Sequence, residues 1–170
     1  LAGLEAGLNA QDDVLTTLAI RRILLIHGIA LSYGGVPLIY MGDEWGQGNT
    51  SEAEIAKRQG PDGRELHRPQ FDDVGFAKRH DLQTTEGQIF AALRAFMQAK
   101  KKHDILNAHH PLTLWQTGST AVLGLKRGDR ALGLFNFSHQ TITLNPAAAL
   151  TQNCMTSGND LLTGQAIDLH

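Results

Sequence analysis

One cysteine, Cys154, stands among 170 residues, which excludes an internal disulfide framework and every CxxC metal or redox motif. Thr151-Gln152-Asn153 before it offers no activating base, so the thiol is expected to be a small buried apolar group, and a reducing compartment is compatible. Excess charge is lacking too. The formal net charge is -2 and no basic cluster exceeds Lys100-Lys101-Lys102, which leaves no electrostatic case for nucleic acid. Long hydrophobic runs are missing: the longest, Ile23 to Ile29, is interrupted by His27 and falls short of the roughly 20 residues of a membrane span, so no membrane partner is expected. The opening Leu1-Ala2-Gly3-Leu4-Glu5 has no basic region followed by an apolar core, hence no secretory signal and a cytoplasmic reading; it also lacks Met, which suggests part of a longer chain. GxSxG, Walker and GxGxxG motifs, internal repeats and low-complexity tracts are all absent.

What is present is a soluble globular composition, 42% hydrophobic and 19% charged, in a length that buries one ordinary core or a small core plus part of a larger one. Asp12 precedes apolar residues at Val14, Leu15, Leu18, Ala19, Ile23 and Ile26, a spacing that predicts a helix over 13–33 capped by Asp12 and ended by Gly34-Gly35. The unbroken run Val36 to Met41 predicts a strand buried on both faces, as in a parallel sheet. From Gly42 to Gln83 the composition is that of a long, site-bearing loop, with a short helix near 51–58 capped by Ser51. Ile89, Phe90, Leu93, Phe96 and Met97 then repeat on one face of a helix over 85–102.

Beyond Lys102 the pattern changes to short alternating runs. Leu112–Trp115, Ala121–Leu125, Ala131–Phe137 and Thr141–Leu144 predict strands, with a hairpin at Arg127-Gly128-Asp129-Arg130. A helix-rich part before an all-strand part implies two cores, 1–104 and 105–170, meeting near His103 to Pro111.

Gly35-Val36-Pro37-Leu38-Ile39-Tyr40-Met41-Gly42-Asp43-Glu44 resembles the eighth barrel strand and its loop in the α-amylase family of glycoside hydrolases. Arg64-Glu65-Leu66-His67-Arg68-Pro69-Gln70-Phe71 resembles the loop of that family's sucrose-acting branch, amylosucrase and sucrose hydrolase. The resemblance covers nearly the whole chain. It implies an α/β plus all-β architecture: the C-terminal portion of a (β/α)8 TIM barrel (1–104), then an antiparallel β-sandwich (105–170) that is incomplete here. It further implies a retaining displacement on sucrose or an α-glucan oligosaccharide, carried out by two carboxylates about 5 to 5.5 Å apart. Nothing in this chain corresponds to the family's nucleophile, acid/base or third carboxylate, so no catalytic residue is expected here. Adjacent carboxylates such as Asp43-Glu44 or Asp72-Asp73 point to opposite sides of an extended chain and cannot form the pair.

Four residues remain as candidates for sugar binding. Asp43 and Glu44 can hydrogen-bond sugar hydroxyls or brace their own Gly-Asp-Glu turn, and such a turn satisfies its backbone easily. Arg68, biased toward extended geometry by Pro69, can form a bidentate pair with a carboxylate lining a sugar pocket, or can simply face solvent. His67 suits loop packing as well as a ligand. Trp45 can stack on a sugar or anchor the loop, and its flanking glycine favours the anchor. His103, His109 and His110 match no zinc spacing and are read as a surface linker; no metal and no cofactor is expected. Asn136-Phe137-Ser138 fits a glycosylation sequon, although Asn136 more simply ends a strand.

A partial barrel leaves strand edges and apolar helix surface bare, so upstream barrel segments or another copy of the chain are the expected partners. The competing reading is a self-standing carbohydrate-binding or structural module without enzyme activity. For such a module only Trp115, Phe135 and Phe137 are available as sugar-stacking rings, and the last two share a strand face.

Overall fold

In the computed structural model the described residues are 2–57, 63–149 and 157–168. Cys154 lies outside them. Asp12 starts the longest helix, α2 (Asp13–Ser32): its Oδ1 accepts from the N–H groups of Val14 and Leu15, both at 2.9 Å. Two of the four orphan donors of a helix start are thereby satisfied. A shorter helix, α1 (Leu4–Ala10), crosses it where Gly7 has no side chain; a Cβ there would meet Thr16 Oγ1 at 2.7 Å. α2 ends one residue short of the expected 33, just before Gly34 at φ 97°.

The chain divides into two compact units, Leu1–Leu24 with Leu38–Arg94, and Leu25–Pro37 with Ala95–His170. The divisions fall inside α2, between Pro37 and Leu38, and inside α5 (Thr85–Lys102).

The first unit is built on Leu4, Ala19, Ile20, Trp45, Ile89 and Leu93, all buried. The region expected as one long loop holds several short elements. A 3-10 turn spans Asp43–Trp45, and α3 (Glu52–Ala56) opens with a capping box between Ser51 and Glu54. A second 3-10 turn spans Gly63–His67, and α4 (Asp73–Ala77) is capped by Asp72, whose Oδ1 accepts from Val74 N at 3.1 Å. Asp72 thus works on its own backbone.

The second unit carries an antiparallel sheet of order β1-β2-β3: β1 (Leu112–Trp115), β2 (Val122–Arg127) and β3 (Ala131–Asn136). The hairpin expected at 127–130 joins β2 to β3, with Arg127 opposite Ala131. Phe96 and Phe135 close on Gly28 of α2, where a Cβ would stand 3.3 Å from the Phe135 ring. A separate two-stranded ladder pairs β4 (Ser157–Asn159) with β5 (Ala166–Asp168).

Two expected strands need correction. Thr141–Leu144 joins no ladder among the described residues. The chain instead turns after β3 on its own side chains: Asn136 Nδ2 donates to Gln140 O at 2.7 Å and Ser138 N donates to Asn136 Oδ1 at 2.9 Å, local bonds that compete with strand pairing. The sequon asparagine is therefore a turn-former. Val36–Met41 also joins no ladder, and Tyr40 lies outside any parallel pairing among the described residues. A parallel strand needs a neighbour of the same direction, and the described pairings are all antiparallel. Tyr40 has spent its backbone groups on the next turn: its N–H donates to Asp43 Oδ2 at 3.3 Å and its C=O accepts from Asp43 N at 3.0 Å. The run is left uncovered, Val36 at 96% and Leu38 at 87% exposure.

α2 is apolar nearly all round, and by length and composition alone it is long and apolar enough to cross a bilayer. The adjacent Arg21 and Arg22 near its middle argue for protein surroundings, since each central arginine costs about 2.5–3.5 kcal/mol on insertion scales. Val14, Leu15 and Ile26 are exposed on it.

Candidate functional site

Four contacts fold residues 45–50, the loop that follows the first family-like stretch, onto the second such stretch, residues 64–71, within the first unit. Thr50 N donates to Leu66 O at 2.9 Å, Gln47 Nε2 donates to Gln70 O, His67 Nδ1 lies 3.1 Å from Asn49 Oδ1, and Trp45 meets Phe71 edge-on at 5.1 Å. Trp45, 1% exposed, is the hub; Phe76 closes its other side at 5.2 Å, and the Arg79 guanidinium caps Phe76 at 3.7 Å. Trp45 is thus the packing anchor, with no ring face free for a sugar.

Asp43 and Glu44 brace the turn. Asp43 Oδ2 takes Tyr40 N–H, and Glu44 Oε2 takes Gly42 N–H at 2.9 Å, the structural alternative weighed for these residues. His67 is fixed through Asn49, whose own N–H and amide donate to the two Glu5 oxygens at 2.6 and 3.1 Å. Because Asn49 Nδ2 is turned to Glu5, Asn49 faces His67 with Oδ1, an acceptor, and His67 Nδ1 is the donor in this contact. Arg68 is exposed and makes no hydrogen bond or ion pair with the described residues. The structure therefore places Asp43, Glu44 and His67 in the loops around Trp45 and leaves the Arg68 guanidinium without a partner among the described residues. Trp45 Nε1 and Gln47 Oε1, a donor and an acceptor, are buried in these loops without partners among the described residues.

A second constellation lies in the other unit, in the stretch expected as a linker. A 3-10 turn, Asp104–Leu106, begins it. Asn107 Nδ2 donates to Asp104 Oδ1 at 3.0 Å, and Asp104 Oδ2 faces Nε2 of His110 at 2.7 Å and Nε2 of His109 at 3.2 Å. Hydrogen bonds from His110 first, then from Asn107 and His109, hold the Asp104 carboxyl down at about 2. Two cations grip this turn from inside. Arg127, 2% exposed, donates to the carbonyls of Ile105 (3.4 Å), Asn107 and Tyr33 (3.2 Å). Lys100 donates to Leu106 O at 2.7 Å and to Leu31 O at 3.1 Å, and burial, aided by the charge of Arg127, lowers its pKa. The Leu31 and Tyr33 carbonyls belong to the C-terminal end of α2, where cations are favoured.

Sequence reasoning passed over Asp104, Lys100 and Arg127. An arginine closing a strand that is apolar up to Lys126, and an aspartate five and six residues before a His pair, were the available signals. No family model matches the chain.

Proposed function

We propose that this chain is the C-terminal portion of an α-amylase-family α-glucosyl hydrolase or transferase of the amylosucrase or sucrose hydrolase type. It supplies one wall of a sugar pocket and none of the catalytic carboxylates. The observation that carries the reading is the docking of the loop that follows the first family-like stretch, residues 45–50, onto the 64–71 segment through Trp45–Phe71 and the flanking hydrogen bonds, which brings the second family-like stretch up to the end of the first. Two further features support it. The bare apolar run Val36–Met41 has the character of a barrel strand whose neighbours lie on other segments. The unpartnered Trp45 Nε1 and Gln47 Oε1 are the kind of buried polar atoms that gather at functional sites.

In this reading Arg68 is the residue that reaches the ligand cavity. Its guanidinium, unpaired among the described residues, forms a bidentate pair with a carboxylate held by the upstream barrel. Asp43 and Glu44 shape the loop, and His67 positions the segment that presents Arg68. Glucosyl transfer itself proceeds on the missing part, through a covalent intermediate formed by one carboxylate and a leaving group protonated by the other.

The test is to read the coding sequence upstream of Leu1, express the joined chain and measure fructose release from sucrose. Acidic loops following earlier barrel strands, together with sucrose cleavage that falls at least tenfold in Arg68→Ala, are expected. An unrelated upstream sequence contradicts the reading. Titration of the present chain with maltooligosaccharides separates the alternative: saturable binding without any barrel supports a self-standing carbohydrate-binding module.

A further inference from the structure

We propose that Asp104, His109 and His110 form a binding site for a divalent metal ion of the zinc class. Asp104 Oδ2 and the two histidine nitrogens all lie within 4.8 Å of one another. One carboxylate oxygen and two imidazoles make an N2O donor set suited to a borderline ion such as Zn2+ or Co2+. Ions of this class sit about 2.0–2.2 Å from such donors, which puts tetrahedral ligand atoms roughly 3–3.5 Å apart. The Oδ2–Nε2 separations of 2.7 and 3.2 Å are already near that spacing. A side-chain rotation of His109, which is largely exposed, closes the remaining gap.

The scaffold is built for it. Asp104 Oδ1 is occupied by Asn107 Nδ2, so the second oxygen is aimed at the imidazoles, an outer partner orienting a ligand. The backbone carrying Asp104 and Asn107 is clamped by Arg127 and Lys100 through the carbonyls of residues 105, 106 and 107. The two rings lie 4.3 Å apart at 41°, on adjacent residues at the end of the same turn. On binding, each neutral imidazole exchanges its Nε2 proton for one on Nδ1 through solvent and presents the freed lone pair to the metal. No proton is lost overall from the pair. Water completes the coordination on the open side, and the ion ties the start of the 104–110 turn to its end.

The test uses the untagged full chain stripped with chelator. Isothermal titration with Zn2+ is expected to give one equivalent with a dissociation constant in the micromolar range, and Co2+ is expected to give visible d–d absorption of a low-coordinate site. Asp104→Asn and His110→Gln should each weaken binding at least tenfold, and His139→Gln should leave it unchanged. Pseudocontact shifts from Co2+ give a check that needs no variant: they should centre on residues 104–110. No saturable binding below about 100 µM, or binding that survives both substitutions, or shifts centred elsewhere, would overturn the proposal.

Discussion

Replacing Gly34 by alanine tests the buried clamp around Arg127. A Cβ at this position would stand 2.6 Å from Arg127 Cζ, and φ of 97° is one that side-chain-bearing residues rarely adopt. The backbone part of the cost is about 1–2 kcal/mol. The steric part is relieved only by moving the guanidinium off the carbonyls of Tyr33, Ile105 and Asn107. Hydrogen bonds to charged groups contribute about 1.5–3 kcal/mol each, and rehydration of the displaced cation returns some of that, leaving about 2–4 kcal/mol net. Gly34→Ala should therefore cost about 3–6 kcal/mol, and Arg127→Ala about 2–4 kcal/mol. The double variant should cost about as much as Gly34→Ala alone, because with the guanidinium gone the new methyl group has nothing to displace. Urea unfolding followed by far-UV circular dichroism gives the three values. Additivity of the two single changes to within about 0.5 kcal/mol would refute the reasoning, since independent sites behave that way.

Trp45→Ala should lose about 3–5 kcal/mol, as expected for a fully buried aromatic hub, with Trp45→Phe losing much less; urea midpoints decide. Asp104 has a folded pKa near 2 against an ordinary 3.8, so its contribution is fully present above 3.8 and disappears as the pH falls toward 2. Because the group is fully exposed the effect on stability is small. The clean readout is its carboxyl carbon shift by NMR, whose midpoint should rise toward 3.8 in His110→Ala. Val36→Asp with Leu38→Asp should reduce self-association in sedimentation velocity, because these are among the most exposed apolar side chains of the chain.

The elements readable from sequence are those set by local chemistry. Asp12 before an apolar 3.6-residue rhythm and Gly34 after it delimit α2; Ser51 with Glu54 delimits α3; the Arg127–Arg130 turn joins two strands. The weighing of Asp43 and Glu44 toward loop bracing, and of Trp45 toward anchoring, rested on similarly local arguments. What could not be read depends on distant partners. An apolar run such as Val36–Met41 announces burial but not the presence of a neighbour to pair with. Arg127 looks like a surface residue until the carbonyls of Tyr33 and Asn107, far apart in sequence, converge on it. Asp104 and the His pair look like a polar linker until the turn at Asn107 folds them together.

Amide hydrogen exchange at Val36–Met41, compared between this chain and the same chain joined to its upstream coding sequence, bears most directly on the claim that the run is a barrel strand awaiting neighbours. Rapid exchange here with strong protection in the joined form is the predicted result. Exchange that stays rapid at Leu38 and Ile39 in the joined form would contradict it.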